Sequence, residues 1–139
     1  MAYIKNTLNH KHIAYVLLRI TVGVNFLGHG YIRLSKIPEF RNWMIDLFEK
    51  SPLPLPLVSF FGTVLPVLEL LVGITVVLGL FTRYSVSLGA LIICALIFGS
   101  CMIEQWEMAG GQMLYGLMLF ILLFLHEYNK ISLDRLIFH

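Results

Sequence analysis

The sequence predicts an all-α membrane protein: a four-transmembrane-helix bundle with an amphipathic interfacial helix between helices 1 and 2. Composition is the first observation behind this. Apolar residues make up 58% of the 139 residues and charged residues 13%, against roughly 45–50% and 25% in an average soluble domain. A soluble chain this short has much surface per unit volume and needs charge to cover it. Run length is the second observation: four nearly uncharged runs of about 19–25 residues match the length at which a helix crosses a hydrocarbon core of about 30 Å. The third is the absence of the strand-like alternation that marks a membrane barrel. Lipid cannot hydrogen-bond to backbone groups, so each crossing must be helical. One domain, residues 1–139, is expected.

The first run extends from Ile13 to Leu34. Lys5 and Lys11 ahead of it imitate a secretory leader, but Arg19 interrupts the run and no small-residue cleavage site follows before "HGYIRLSK". The helix is therefore expected to be retained. After it, "PEFRNWMIDLFEK" places Phe40, Trp43, Met44, Leu47 and Phe48 on one helical face, with Arg41, Asn42, Asp46, Glu49 and Lys50 on the rest. Pro38 suits a first turn, so a helix is expected over 38–50. It either lies flat on the outer leaflet or caps the bundle. "SPLPLP" then ends it in an extended stretch.

The remaining runs are Leu57 to Phe81, Tyr84 to Ile103 and Met108 to His126, with "EQWEMAGG" (Glu104 to Gly111) as the turn before the last. Lys5, Lys11, Arg83, Lys130 and Arg135 fall on the side of the termini; Arg33, Lys36, Arg41 and Lys50 fall on the other. The Glu104–Gly111 turn carries no base, and short loops weigh most in setting orientation. Both termini are thus expected in the cytoplasm. Trp106 and Tyr31 then mark the outer interface, and Tyr84 and Tyr128 the inner one.

Chemistry-bearing residues are few. Cys94 and Cys101 stand seven apart on one helix, a rise of roughly 10 Å, too far for a disulfide; burial as small apolar residues is expected. His10 and His12 flank the first helix as interfacial anchors. His29 and His126 fall at opposite bundle ends, so they are not paired haem ligands. CxxC, HExxH and phosphate-loop motifs are absent. No metal ligand set is expected, and the net charge of +2 provides no stripe for nucleic acid. The glycines of "GGQMLYG" (Gly110 to Gly116) read as packing residues.

Ionisable residues inside a membrane are costly and mark functional candidates. Glu69 is the only charged residue between Lys50 and Arg83. Gly62, Pro66 and Gly73 share its helix face, and small residues permit close helix approach, so this face is expected to point into the bundle. Arg19, Asn25 and His29 occupy the first helix. Arg19 is one partner for Glu69, yet side chains lean toward their own helix N-terminus, which turns these two apart. The other arrangement joins Glu69 to Asn25 and His29. The same polar groups also suit a purely structural role, holding helices together.

"LLRITVGVNFLGHGYIRL", then "GTVLPVLELLVGITVVLGLFTR", and a closing "ISLDRLI" resemble the DoxX family of small four-helix membrane proteins. Arg19, Gly23, His29, Gly30, Glu69, Gly73, Gly79, Arg83, Leu133 and Asp134 match, while Arg33 stands where many members carry lysine. The resemblance implies a multi-pass protein of the bacterial inner (plasma) membrane. It also implies a subunit of a quinone- or thiol-linked redox system, of the thiosulfate or thiol:quinone oxidoreductase type. Arg19, Asn25, His29, Glu69 and Arg83 are the candidate ligand-binding or proton-relay residues, and quinone or a small anion is the candidate ligand. A non-catalytic scaffold or assembly partner, docked to another protein or a second copy, is the alternative. Transport of a small solute is less favoured, because four helices leave little room for a pore.

Overall fold

The computed structural model describes residues 9–138. Lys5, one of the basic residues used to orient the chain, lies outside them. The fold is helical throughout: α1 (His10–Leu34), α2 (Ile37–Phe48), α3 (Leu55–Leu78), α4 (Thr82–Met102), α5 (Trp106–Phe124), a single 3-10 turn (His126–Tyr128) and α6 (Leu133–Phe138). The helices α1, α3, α4 and α5 are long and apolar enough to cross a membrane. Their outward faces carry exposed Leu17, Leu71, Leu91 and Phe120, side chains that only a lipid solvent accommodates in such number.

The helix α3 is central, packing on α1, α2 and α4, while α5 closes the bundle against α4 and α1. Glycines set the α1–α3 contact. Gly23 meets Val77, Gly73 meets the backbone of Leu27, and Gly30 meets the backbone of Leu70. A Cβ at Gly30 or Gly73 would fall onto main chain, which cannot yield. The pairs define an antiparallel register that, continued to Leu34, ends α1 beside Pro66. The first turns of α3, from Leu55 to Leu65, therefore extend past α1.

The helix α2 covers that extension. Met44 and Phe48 pack with Val58, Met44 lies over Gly62, and Phe48 reaches Gly99 of α4. It is a packed cap, not a helix lying free on the leaflet. Trp43 stays half exposed beside Phe40, their ring centroids 5.8 Å apart.

Several boundaries differ from the sequence reading. The helix α3 starts at Leu55 because Pro54 and Pro56 occupy its cap and first turn, where proline has no hydrogen bond to lose. The supposed Glu104–Gly111 turn is mostly helix, since α5 begins at Trp106. His10 and His12 lie within the first turn of α1, where the Asn9 N–H donates to His12 Nδ1 at 3.1 Å. Both cysteines are free, but Cys94 is exposed and Cys101 only partly buried. Their helix turns them toward the lipid side, correcting the expected burial.

Candidate functional site

The polar residues form two groups at opposite ends of the bundle. At one end, Arg33 Nη1 donates to Glu69 Oε1 at 2.6 Å in the only salt bridge among the described residues. Gly62, Pro66, Glu69 and Gly73 are all buried, so the face of α3 that they share does turn inward. Glu69 Oε2 is buried without a hydrogen bond from any described residue. Across from the carboxylate, the Arg33 guanidinium stacks over Phe40 of α2, 4.6 Å from the ring centroid.

Arg33 borders a partly open cavity of about 240 Å³ lined by α2, α3, α4 and α5. Its wall is apolar, with Phe40, Met44, Phe48, Phe61 and Leu65 among the lining side chains. The other polar groups on it are Ser100 and Gln112, joined by a hydrogen bond from Ser100 Oγ to Gln112 Oε1 at 3.0 Å. That bond leaves the Gln112 amide N–H groups as free donors. An apolar slot with a guanidinium and an amide on its wall suits a lipid-soluble molecule with a hydrogen-bond-accepting head.

Arg19 belongs to the second group. It is 3% exposed and donates through Nη1 to Asn129 Oδ1 at 2.5 Å and to the Ile131 carbonyl at 2.8 Å. Its Nη2 reaches the Val77 carbonyl at 3.5 Å, at the C-terminal end of α3. Asn129 Nδ2 donates in turn to Thr82 Oγ1 at 3.1 Å. The Asp134 carboxylate caps α4 by accepting from the Phe81 and Thr82 amides at 2.5 and 2.8 Å. Phe81 has φ 47°, a left-handed conformation that this cap holds in place. Gly79, at φ 67°, has no room for a Cβ between Ser132 and the Arg19 guanidinium. These contacts clasp the segment after α5 onto the α3–α4 turn.

Burial pushes the Asp134 carboxyl up, but hydrogen bonds from Thr82 and Phe81 and the nearby His126 outweigh it and hold its pKa below 3.8. Burial pulls the His126 imidazole below 6.5.

The sequence candidates thus do not form one site. Glu69 pairs with Arg33 and not with Arg19. His29 is exposed, Asn25 is half-buried, and neither side chain makes a hydrogen bond among the described residues. Arg83 is exposed on the first turn of α4, at the Arg19 end. No group of three or more His, Cys, Asp or Glu side chains is placed to hold a metal among the described residues.

Four helices long and apolar enough to cross a membrane, two of them joined by a partly buried ion pair, define a multi-pass membrane protein. The DoxX family model matches residues 14–101, more than half of the chain, and the protein belongs to the DoxX family. The matched span runs from α1 to the end of α4 and contains both Arg33 and Glu69. No curated protein and no solved structure matches the chain.

Proposed function

We propose that this protein is a binding subunit of a quinone-linked membrane redox system, and that its ligand head sits in the cavity beside Arg33. The observation that supports this reading is an apolar cavity of about 240 Å³ with Arg33, itself paired with Glu69, on its border. That volume lies just below the range of about 300–1,000 Å³ usual for small-molecule sites. It suits a single ring head whose tail leaves between helices into lipid. A quinone would supply the electron-carrying chemistry. The chain's own groups supply recognition: Arg33 and Gln112 donate hydrogen bonds to carbonyl oxygens, Phe40 and Phe61 flank the ring, and Glu69 holds Arg33 in place. The residues expected from sequence to form the site are replaced in this role by Arg33, with only Glu69 retained. We place the chain in a bacterial inner membrane with both termini in the cytoplasm.

The test uses Trp43, which lines the cavity. Trp106→Phe leaves it as the sole tryptophan of two. Titration with a short-chain benzoquinone should quench its fluorescence to saturation. Adding Arg33→Gln should weaken binding by roughly tenfold or more, as expected for loss of a charge-assisted hydrogen bond worth about 1.5–3 kcal/mol. Linear, unsaturated quenching, equal in both proteins, would reject the site.

A further inference from the structure

A second, more open cavity of about 520 Å³ lies at the Arg19 end, between the end of α3 and the segment after α5. Three cationic residues line it: Arg19, Lys130 and Arg135. Among the described residues no acidic side chain does. Asp134 is near enough to act on Arg19 electrostatically, but both its oxygens are held by the Phe81 and Thr82 amides, it makes no ion pair with Arg19, and it is not part of the wall. Among the described residues none of the three cations has a carboxylate partner.

Arg19 has no anionic hydrogen-bond partner among the described residues. Its hydrogen bonds go to neutral acceptors, the Asn129 side chain and the Ile131 and Val77 carbonyls. Its Nε is buried without an acceptor among the described residues. A buried charge is ordinarily paired, and here the C-terminal dipole of α3 provides only partial compensation. Lys130 and Arg135 sit on the same cavity and add like charge. Three cations around one space repel one another unless an anion lies among them.

The surroundings identify the kind of anion. Leu78 and Leu136 are also in the cavity wall. Beside it, α6 presents Leu136, Ile137 and Phe138 outward, with Leu136 81% exposed, and Phe124 of α5 is likewise exposed. Such a surface belongs in contact with acyl chains, so the cavity opens at the boundary between hydrocarbon and headgroups. Basic pockets at the ends of membrane helices take anionic headgroups by this combination of charge and apolar contact.

We propose that this cavity binds the phosphate of an anionic phospholipid. Lys130 and Arg135 contact the phosphate at the mouth, Arg19 adds its charge from the floor, and Leu78 and Leu136 border an acyl chain. The bound lipid is then part of the clasp that ties the segment after α5 to the α3–α4 turn.

The experiment is a thermal-shift titration of the full chain in neutral detergent with short-chain phosphatidylglycerol, short-chain phosphatidylcholine or inorganic phosphate. Phosphatidylglycerol should raise the midpoint saturably, and the other two should not. The double variant Lys130→Gln/Arg135→Gln should keep the midpoint seen in phosphatidylcholine, since neither side chain makes a hydrogen bond within the described fold. Its phosphatidylglycerol titration should shift to at least about tenfold higher concentration, the equivalent of about 1.4 kcal/mol. Lys36→Gln/Lys50→Gln removes equal charge from the other end and should leave the titration unchanged. An equal response to phosphatidylcholine, or an unaltered titration in the Lys130/Arg135 variant, would overturn the proposal. A response to inorganic phosphate as strong as to the lipid would overturn the assignment to a lipid headgroup.

Discussion

Arg33 and Glu69 lean toward each other: each side chain tilts toward the N-terminus of its own helix, and on antiparallel α1 and α3 those tilts converge at 2.6 Å. Arg19 tilts the opposite way from Glu69 and ends among the Val77, Asn129 and Ile131 acceptors. One geometric rule therefore separates the two arginines of α1 into two sites.

The pairing predicts strong coupling between its partners. Arg33→Met leaves the Glu69 carboxylate buried without a cation; breaking a fully buried pair costs about 3–5 kcal/mol, and the loss here should be smaller because the Arg33 side chain is 26% exposed. Glu69→Gln keeps shape and hydrogen bonding and should cost less, because the partly exposed guanidinium still reaches solvent. The double variant should recover part of the Arg33→Met loss. Thermal unfolding in detergent measures all three. Strictly additive losses would mean that the two groups do not interact in the folded protein.

That partnership was partly legible in the sequence. Glu69, its inward face and the divergence from Arg19 all follow from spacing and side-chain tilt. In the sequence Arg33 stands out only as one of the bases on the side away from the termini, although tilt toward the helix N-terminus carries its side chain inward. Depth was the other obstacle. Counting from the ends of flush helices sets Asn25 beside Glu69, whereas the glycine register sets Gly30 there. The five-residue offset is roughly 7–8 Å of rise. No local signal gives that offset, because it depends on which glycines meet across the interface. The Asn129–Asp134 clasp was hidden for a similar reason: its partners, Arg19, Gly79 and Thr82, are distant in sequence.

The glycine contact predicts a contrast between neighbours in composition. Gly73→Ala drives a methyl into the Leu27 backbone and should destabilise the bundle by about 1–3 kcal/mol, the usual range for overpacking. At Gly28 nothing lies within 4 Å of an added Cβ. There Gly28→Ala should be neutral or stabilising by up to about 1 kcal/mol through helix propensity. Equal effects of the two changes on the unfolding midpoint would contradict the register.

Acid should loosen the Arg19 end in two stages. The His126 pKa is lowered from 6.5 by burial, so its contribution is complete above 6.5 and declines as pH falls toward the folded value. Asp134 is lowered from 3.8 in the net; its contribution is complete above 3.8 and lost as pH falls through the folded value. His126→Gln should flatten the first stage and Asp134→Asn the second. Hydrogen exchange at the Phe81 and Thr82 amides, followed against pH, reads both. Unchanged pH profiles in the variants would show that other groups govern the acid response.

Orientation is testable at the short α4–α5 connection. Residues 103–105 carry Glu104 and no base, so the outer side is the expected one. A reporter active only in the cytoplasm should be active when fused after His139 and silent when fused at Gln105. The reverse result would invert the topology and put the Arg33 cavity on the cytoplasmic side.

Filling the cavity offers the most direct separation of fold from function. Gly99 lies in the cavity wall, and a Cβ there would stand 3.2 Å from Phe48 Cζ. Gly99→Leu therefore occupies space that the proposed ring head needs, while Phe48, a side chain, gives way at a cost of about 1–3 kcal/mol. Gly110→Leu is the matched control, since nothing lies within 4 Å of a Cβ at Gly110 on α5. Both variants should insert and remain folded. Gly99→Leu should abolish the saturable quenching of Trp43 by short-chain benzoquinone, and Gly110→Leu should preserve it. Wild-type quenching in a folded Gly99→Leu protein would mean that the ligand does not enter between α2 and α4.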